Sequence, residues 1–163
     1  MDFAMVLADP NKATINIPDQ FLIAIGKVCI AWGHLEDVID LCIPKLAGMD
    51  IYDSRSRIMI NHATWPQRID ILGALINALV IDYPRLKGWD SVSPLLKKAQ
   101  EGRNRIIHGH FAYENDKLIM ARSTSRGKLK VSLDEVTITE INEIISDIQI
   151  AAAEVLNLVI LNA

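Results

Sequence analysis

The chain has 163 residues, half of them hydrophobic, and a formal net charge of −3 at pH 7. This length suits one domain and allows a sizeable core, so the composition excludes a disordered chain. The negative charge argues against indiscriminate binding of nucleic acid. The stretch 85–130 differs, because it holds eleven Lys or Arg against four acids. These bases form either a phosphate-attracting face or separate solvated surfaces.

No targeting or membrane segment is predicted. The N-terminal residues lack a basic region and their apolar run is too short for a signal peptide. No stretch reaches membrane-spanning length without a charge or a proline. Cys29 and Cys42 both fall in apolar helical sequence, which predicts reduced core thiols, with a catalytic pairing of Cys and His as the alternative. We expect one cytoplasmic domain over 1–163 with a loose leader over 1–15.

Taken in chain order, the first strong pattern is a long amphipathic helix. It is predicted to begin at Pro18, which suits a first helical turn, and to end at about Leu46, before Gly48. Its apolar residues recur at helical spacing and form a broad face. Glu36 projects from the middle of that face, and Asp40 lies one turn further along its edge. Two carboxylates are therefore predicted to lie against the core.

Two further helices follow. Residues 52–62 are ambiguous and are predicted to form a short helix. Thr64 and Gln67 have the spacing of a capping box, so a helix is expected to begin there and to run to about Asp82. Arg68 falls within the apolar stripe of that helix. It either joins an internal ion network or extends along the surface to the helix end.

The next helix is predicted to begin at Ser93-Pro94 and to end at His108. Gly109 is expected to take the left-handed conformation that closes many helices. Within the helix, Arg103 projects from an apolar stripe, where an unpaired guanidinium would be very costly. A carboxylate on a neighbouring helix explains both anomalies, so we predict that Glu36 pairs with Arg103 and that Asp40 and Arg68 complete a structural ion network.

Beyond Gly109 the hydrophobic period changes from that of a helix to that of strands. Short strands are predicted within a ribbon over 111–133, followed by a capping box at Thr137 and Glu140 and a last helix to about Leu161. Some apolar residues lie outside the core stripe of that helix, which predicts cover by a second subunit. The expected fold is mainly α, a four- to five-helix up-down bundle with a small β-hairpin or ribbon inserted before the last helix. The predicted strands are 111–113, 118–122 and 128–133, with turns at 114–116 and 123–127.

The end of the fourth helix gathers polar side chains. Arg103, Asn104 and His108 are predicted to share one arc, with Lys97 on the same flank. His108 lies near carbonyls at the negative end of the helix dipole, which favour a protonated imidazole. One helix end thus offers a cation, an amide and a titratable ring.

This Arg-Asn-x-x-x-His motif near the end of a late helix, in a small bundle, resembles the HEPN superfamily (higher eukaryotes and prokaryotes nucleotide-binding). The resemblance implies a metal-independent endoribonuclease without a cofactor, acting as a homodimer in which two motifs meet at one cleft. Attack of an RNA 2′-hydroxyl on the adjacent phosphate would leave a 2′,3′-cyclic phosphate. The resemblance implies catalytic roles for Arg103, Asn104 and His108, with Lys97, Arg105 and His110 as the candidate RNA contacts.

The resemblance also implies a biological setting, in which the protein is a toxin or a phage-defence effector with an antitoxin or regulatory protein as a further partner. Two other interpretations stay open. The chain can be a non-catalytic dimeric module that binds a protein or a nucleotide, with Arg103 and Glu36 as internal ion pair. His108 and His110 can also supply two metal ligands with His34 or His62, but no acid or cysteine lies at a telling spacing, so no metal is expected.

Overall fold

The computed structural model describes residues 16–124 and 130–161. Within these ranges the protein is mainly α-helical, with a small antiparallel sheet before the last helix, so the predicted fold class is confirmed. The expected leader over 1–15 and most of the expected turn over 123–127 lie outside the described residues. The helices are α1 (Asp19–Leu46), α2 (Ser54–Asn61), α3 (Trp65–Leu79), α4 (Trp89–Ile107) and α5 (Ile138–Leu156), and the strands are β1 (His110–Glu114), β2 (Lys117–Thr124) and β3 (Lys130–Val136).

Helix α1 begins and ends where its sequence predicts. Pro18 precedes it, and the Pro18 carbonyl accepts a hydrogen bond from the Phe21 N–H at 2.9 Å. Asp19 adds a carboxylate to the first turn, where the positive end of the helix dipole favours it. At the other end, Gly48 has a φ of 69°, which a residue without a Cβ adopts at little cost. Backbone chemistry therefore fixes both ends of the longest helix.

Side-chain caps start the next two helices. Asp53 precedes α2 and its carboxylate accepts from the Arg55 N–H at 2.9 Å. The guanidinium of Arg55 also binds this partly exposed carboxylate and lowers the pKa of Asp53. At α3, Gln67 Oε1 accepts from the Thr64 N–H at 2.8 Å, which confirms the predicted capping box.

The predicted start of α4 at Ser93-Pro94 is wrong. A short 3₁₀ helix (Pro84–Gly88) leads directly into α4 at Trp89, and Pro94 lies inside the helix. Proline there removes one backbone bond, but two earlier contacts extend the helix. Val92 is buried, and the Trp89 indole lies 3.4 Å from where a Cβ on Gly73 would be. The free energy gained by packing the first turn outweighs the loss of the hydrogen bond that proline cannot donate.

The sheet has the strand order β1-β2-β3 with antiparallel pairing throughout. Asn115 and Asp116 join β1 to β2 with φ values of 51° and 61°, the pattern of a two-residue hairpin turn. Leu118, Met120 and Val136 are fully buried, so one face of the sheet closes over the helical core. A small ribbon is stable here because the helices cover its apolar face.

Helix α5 is the central packing element. The Thr137 hydroxyl accepts from the Glu140 N–H at 3.2 Å, and the core stripe of α5 packs mainly on α1 and α4. Gly102 allows α4 to approach closely, because a Cβ there would lie 3.1 Å from an Ile144 methyl. The chain continues from α5 as a π-helical turn, Asn157–Leu161. Ile150 is exposed, and its cover by a second subunit stays a prediction.

The two cysteines occupy different environments. Cys42 is fully buried in the core, and burial raises the pKa of its thiol to about 12. Cys29 is exposed, so the prediction that both thiols are in the core is wrong for this residue. Its neighbours in sequence are apolar, but its position on α1 leaves it exposed to solvent. Across the residues that the structure describes, no helix combines the length and apolar character needed to cross a bilayer.

Candidate functional site

The end of α4 is shaped by close packing against the sheet. His108 caps the helix, and its N–H donates to the Asn104 carbonyl at 3.1 Å. Gly109 does not take the left-handed conformation that the sequence predicted, since Gly48 has the only positive φ among the described glycines. A Cβ at Gly109 would instead lie 2.6 Å from the Met120 sulfur. Glycine is needed here because β2 passes directly over the helix end.

The structure brings together the three residues predicted to carry chemistry. Arg103 Nη1 donates a hydrogen bond to Asn104 Oδ1 at 3.0 Å, and the same nitrogen lies 3.2 Å from His108 Nε2. Arg103 and Asn104 are half-buried, whereas His108 is exposed. One guanidinium nitrogen therefore bridges an amide and a solvent-accessible imidazole.

The direction of the Arg103–His108 bond defines the state of the ring. A guanidinium has N–H donors and no acceptor, so His108 Nε2 must supply a lone pair. A hydrogen bond here therefore requires the tautomer in which Nε2 is the acceptor. The exposed imidazole thus presents an acceptor nitrogen, as a general base requires.

Arg103 is supported by an aromatic ring. Its Cζ lies 5.3 Å from the centre of the Trp32 ring, at which distance a guanidinium is attracted to the indole face. Trp32 is only 6% exposed, and it packs against Trp65 with ring centres 4.4 Å apart. The cation is therefore held between a buried ring beneath it and two polar groups of its own helix.

The predicted pair between Arg103 and Glu36 is wrong. Among the residues that the structure describes, no ion pair joins Arg103 to a carboxylate. The indole of Trp32, one helical turn before Glu36, supplies the contact across the helix interface. The cost of placing Arg103 within an apolar stripe is offset by this ring and by the bonds to Asn104 and His108.

Arg68 forms the other predicted ion pair. Its Nη1 donates to both oxygens of Asp40 at 3.0 and 3.1 Å, and its Nε donates to the Ala63 carbonyl at 3.1 Å. The side chains are 14% and 27% exposed, so water screens the pair only in part. The pair ties α3 to α1, and Glu36 is not part of it. Of the predicted network, the structure therefore shows the pair of Asp40 and Arg68.

The three candidate RNA contacts lie in unlike surroundings. Lys97 and His110 are exposed. Arg105 is paired with Glu140 of α5, and its Nε is buried without a hydrogen-bond partner. This pair links α4 to α5 beside Gly102. Contact of these three residues with RNA stays a prediction.

The described residues contain no group of three or more His, Cys, Asp or Glu side chains placed to hold a metal ion. His108 and His110 are both exposed, and His34 and His62 are exposed on other elements.

Trp32 and Trp65 lie at the site, but no sequence motif singled them out. The available signal was the spacing of Trp32, which lies four residues before Glu36 and so shares its face of α1. An aromatic ring one turn from the expected carboxylate is a second possible partner for an inward Arg.

Compared with models of known protein families, with curated proteins and with solved structures, the chain shows no match.

Proposed function

We propose that the protein is a metal-independent endoribonuclease of the HEPN type. The observation that carries the proposal is the exposed His108 imidazole bonded through Nε2 to the Arg103 guanidinium at 3.2 Å. No carboxylate among the described residues pairs with that guanidinium, so its charge is available to a phosphate. An acceptor nitrogen and a free cation side by side suit transfer of a phosphoryl group.

In the proposed reaction, His108 Nε2 removes the proton from an RNA 2′-hydroxyl. The 2′-oxygen then forms a bond to the adjacent phosphorus, the bond from phosphorus to the 5′-oxygen breaks, and the leaving oxygen takes a proton. The products are a 2′,3′-cyclic phosphate and a 5′-hydroxyl. Arg103 turns from His108 to the phosphoryl oxygens, where its charge stabilises the transition state.

Asn104 has a positioning role in this proposal. Its Oδ1 accepts from Arg103 Nη1 at 3.0 Å, which, together with the contact to Trp32, holds the guanidinium beside His108 until RNA binds. In the family it resembles, two copies of the motif meet at one cleft. The homodimer is therefore part of the proposal, and the imidazole of the second copy would protonate the leaving oxygen.

The test is cleavage of RNA in EDTA by the parent and by His108→Ala. We expect the substitution to lower the rate by about 10²–10⁴-fold, the usual contribution of a general base. His34→Ala is the matched control, because His34 is also exposed but lies on α1, outside the cluster. It should cleave as the parent does. DNA of the same sequence should stay intact because it lacks the 2′-hydroxyl.

The second candidate function is a non-catalytic dimeric module that binds a protein or a nucleotide. It is favoured by the contact between Arg103 and the buried Trp32, which stabilises the packing of α4 on α1 without any reaction. Absence of cleavage by the parent, or equal cleavage by the parent and His108→Ala, would support this candidate over the ribonuclease.

A further inference from the structure

Three groups contact one another in a row that begins beside His108. The Arg103 Cζ lies 5.3 Å from the Trp32 ring centre, and the Trp32 and Trp65 ring centres lie 4.4 Å apart with a 50° angle between planes. Trp65 is therefore no farther from the guanidinium than the sum of these two distances. This row of contacts begins at the cation beside the exposed imidazole and ends at a second indole.

The two indoles differ in access to solvent. Trp32 is 6% exposed and has a packing role. Trp65 is partly exposed, and as the first residue of α3 it lies between the exposed residues Thr64 and Pro66. Part of a large apolar side chain is thus accessible to solvent, one ring away from a cation that has no acidic partner among the described residues. Flat rings beside positive charge are what proteins use to hold unpaired bases of a nucleic acid.

We infer that Trp65 is a stacking platform for one unpaired base of the RNA, while Arg103 holds a neighbouring phosphate. This inference rests on the proposed ribonuclease function and deepens it, because it specifies single-stranded RNA as the substrate class. In a duplex, the bases stack on each other and cannot reach the indole. Purines should bind more tightly than pyrimidines because a larger ring covers more of Trp65.

Stacking is separable from cleavage, since a base stacks on an indole whatever the sugar carries. The probe is a fluorescently labelled six-nucleotide oligoadenylate with 2′-O-methyl groups, which cannot be cleaved by 2′-hydroxyl attack. Its affinity for the full chain is measured by anisotropy at fixed ionic strength, because phosphate contacts depend on salt. A series of the same probe with one base removed at each position then locates the stacked base.

For the parent protein, we expect removal of one particular base to weaken binding by roughly 5- to 100-fold, the usual effect of losing one stacked base. Trp65→Leu should weaken binding of the intact probe by a similar factor. This variant should then bind the intact probe and that abasic probe with equal affinity. Trp65→Phe keeps an aromatic ring and should retain part of the affinity. The loss of affinity caused by Trp65→Leu and the loss caused by removing that base should therefore not add. A merely structural role of Trp65 would not produce this non-additivity.

Trp89→Phe is the matched control. Trp89 is also partly buried, but it lies at the opposite end of α4 from Arg103, roughly 20 Å along the helix. Its substitution should leave the pattern across the abasic series unchanged. Circular dichroism of each variant verifies folding, and the abasic series on the parent tests the platform even where Trp65→Leu fails to fold.

The outcomes separate the two proposals. The platform is overturned if the parent protein binds every abasic probe with the same affinity as the intact probe. It is also overturned if the parent protein binds neither the intact probe nor any abasic probe. Base-dependent binding that Trp65→Leu abolishes, without cleavage of the unmodified RNA, supports the platform and overturns the ribonuclease. Cleavage that depends on His108, with binding indifferent to Trp65, overturns the platform and supports the ribonuclease.

Discussion

Arg68 and Arg103 both project from apolar stripes, yet the structure uses them differently. Arg68 donates two bonds to Asp40 and one to a backbone carbonyl, so its charge is neutralised between α1 and α3. Arg103 lies over Trp32 and donates to an amide and an imidazole, none of which carries a negative charge in this arrangement. An acid neutralises Arg68, whereas the described residues place no acid beside Arg103 and support it with an aromatic ring.

The largest expected effect separates the two arginines by activity. Arg103→Ala should lower the rate of RNA cleavage by about 10²–10³-fold, the usual effect of removing one group that stabilises a transition-state anion. Arg68→Ala should keep the parental rate per folded molecule. Cleavage is measured in EDTA, with the folded fraction determined by circular dichroism. Equal losses in both variants would show that the contrast between the two arginines is structural only.

A second test concerns stability and compares two carboxylates one turn apart on α1. Asp40→Asn removes the charge that Arg68 binds and should lower the free energy of unfolding by about 2 kcal/mol. Glu36→Gln is the matched control, because no ion pair of the described residues includes Glu36. It should change stability by less than about 0.5 kcal/mol. Urea unfolding measures both, and a larger loss for Glu36→Gln would contradict the assignment.

The smallest expected effect concerns the two cysteines, of which Cys42 is buried and Cys29 is exposed. Burial raises the pKa of Cys42 from the ordinary thiol value of 9.0 to about 12. The folded state therefore keeps the proton above pH 9 while the unfolded state loses it, so Cys42 favours unfolding as pH rises through this window. Its contribution should reach at most about 1.4 kcal/mol per pH unit.

The measurement is urea unfolding of the parent, Cys42→Ala and Cys29→Ala between pH 8.5 and 10.5. Cys42→Ala should lose stability at all pH values because of its cavity, but the loss with rising pH should be shallower than in the parent. Cys29→Ala should follow the slope of the parent, since Cys29 is exposed. Parallel slopes for all three proteins would show that the Cys42 thiol is not protected in the fold.

The sequence predicted the helices well because their signals are local. The apolar period of α1 and α5, the capping box at Thr64 and Gln67, and the change of period after Gly109 all appear in the structure. The start of α4 was missed because it depends on Trp89 packing against another helix. Local sequence patterns predict that the helix begins at the proline, whereas tertiary contacts extend the helix to an earlier residue.

The candidate site was predicted in part for the same reason. Arg103, Asn104 and His108 share one helix end, so their meeting follows from helical geometry. The partner of Arg103 across the interface did not follow, because charge complementarity alone cannot distinguish Glu36 from the ring of Trp32. Likewise, Cys29 has apolar neighbours in sequence but lies on the exposed side of α1.

The contact of Gly109 with Met120 has a mechanical consequence. With a Cβ at residue 109 only 2.6 Å from the Met120 sulfur, another amino acid there requires the Met120 side chain or the ribbon to shift. The capping histidine precedes this junction directly, so a shift of β2 would be transmitted to its ring. The packing of Met120 on Gly109 therefore restrains the backbone directly after the imidazole.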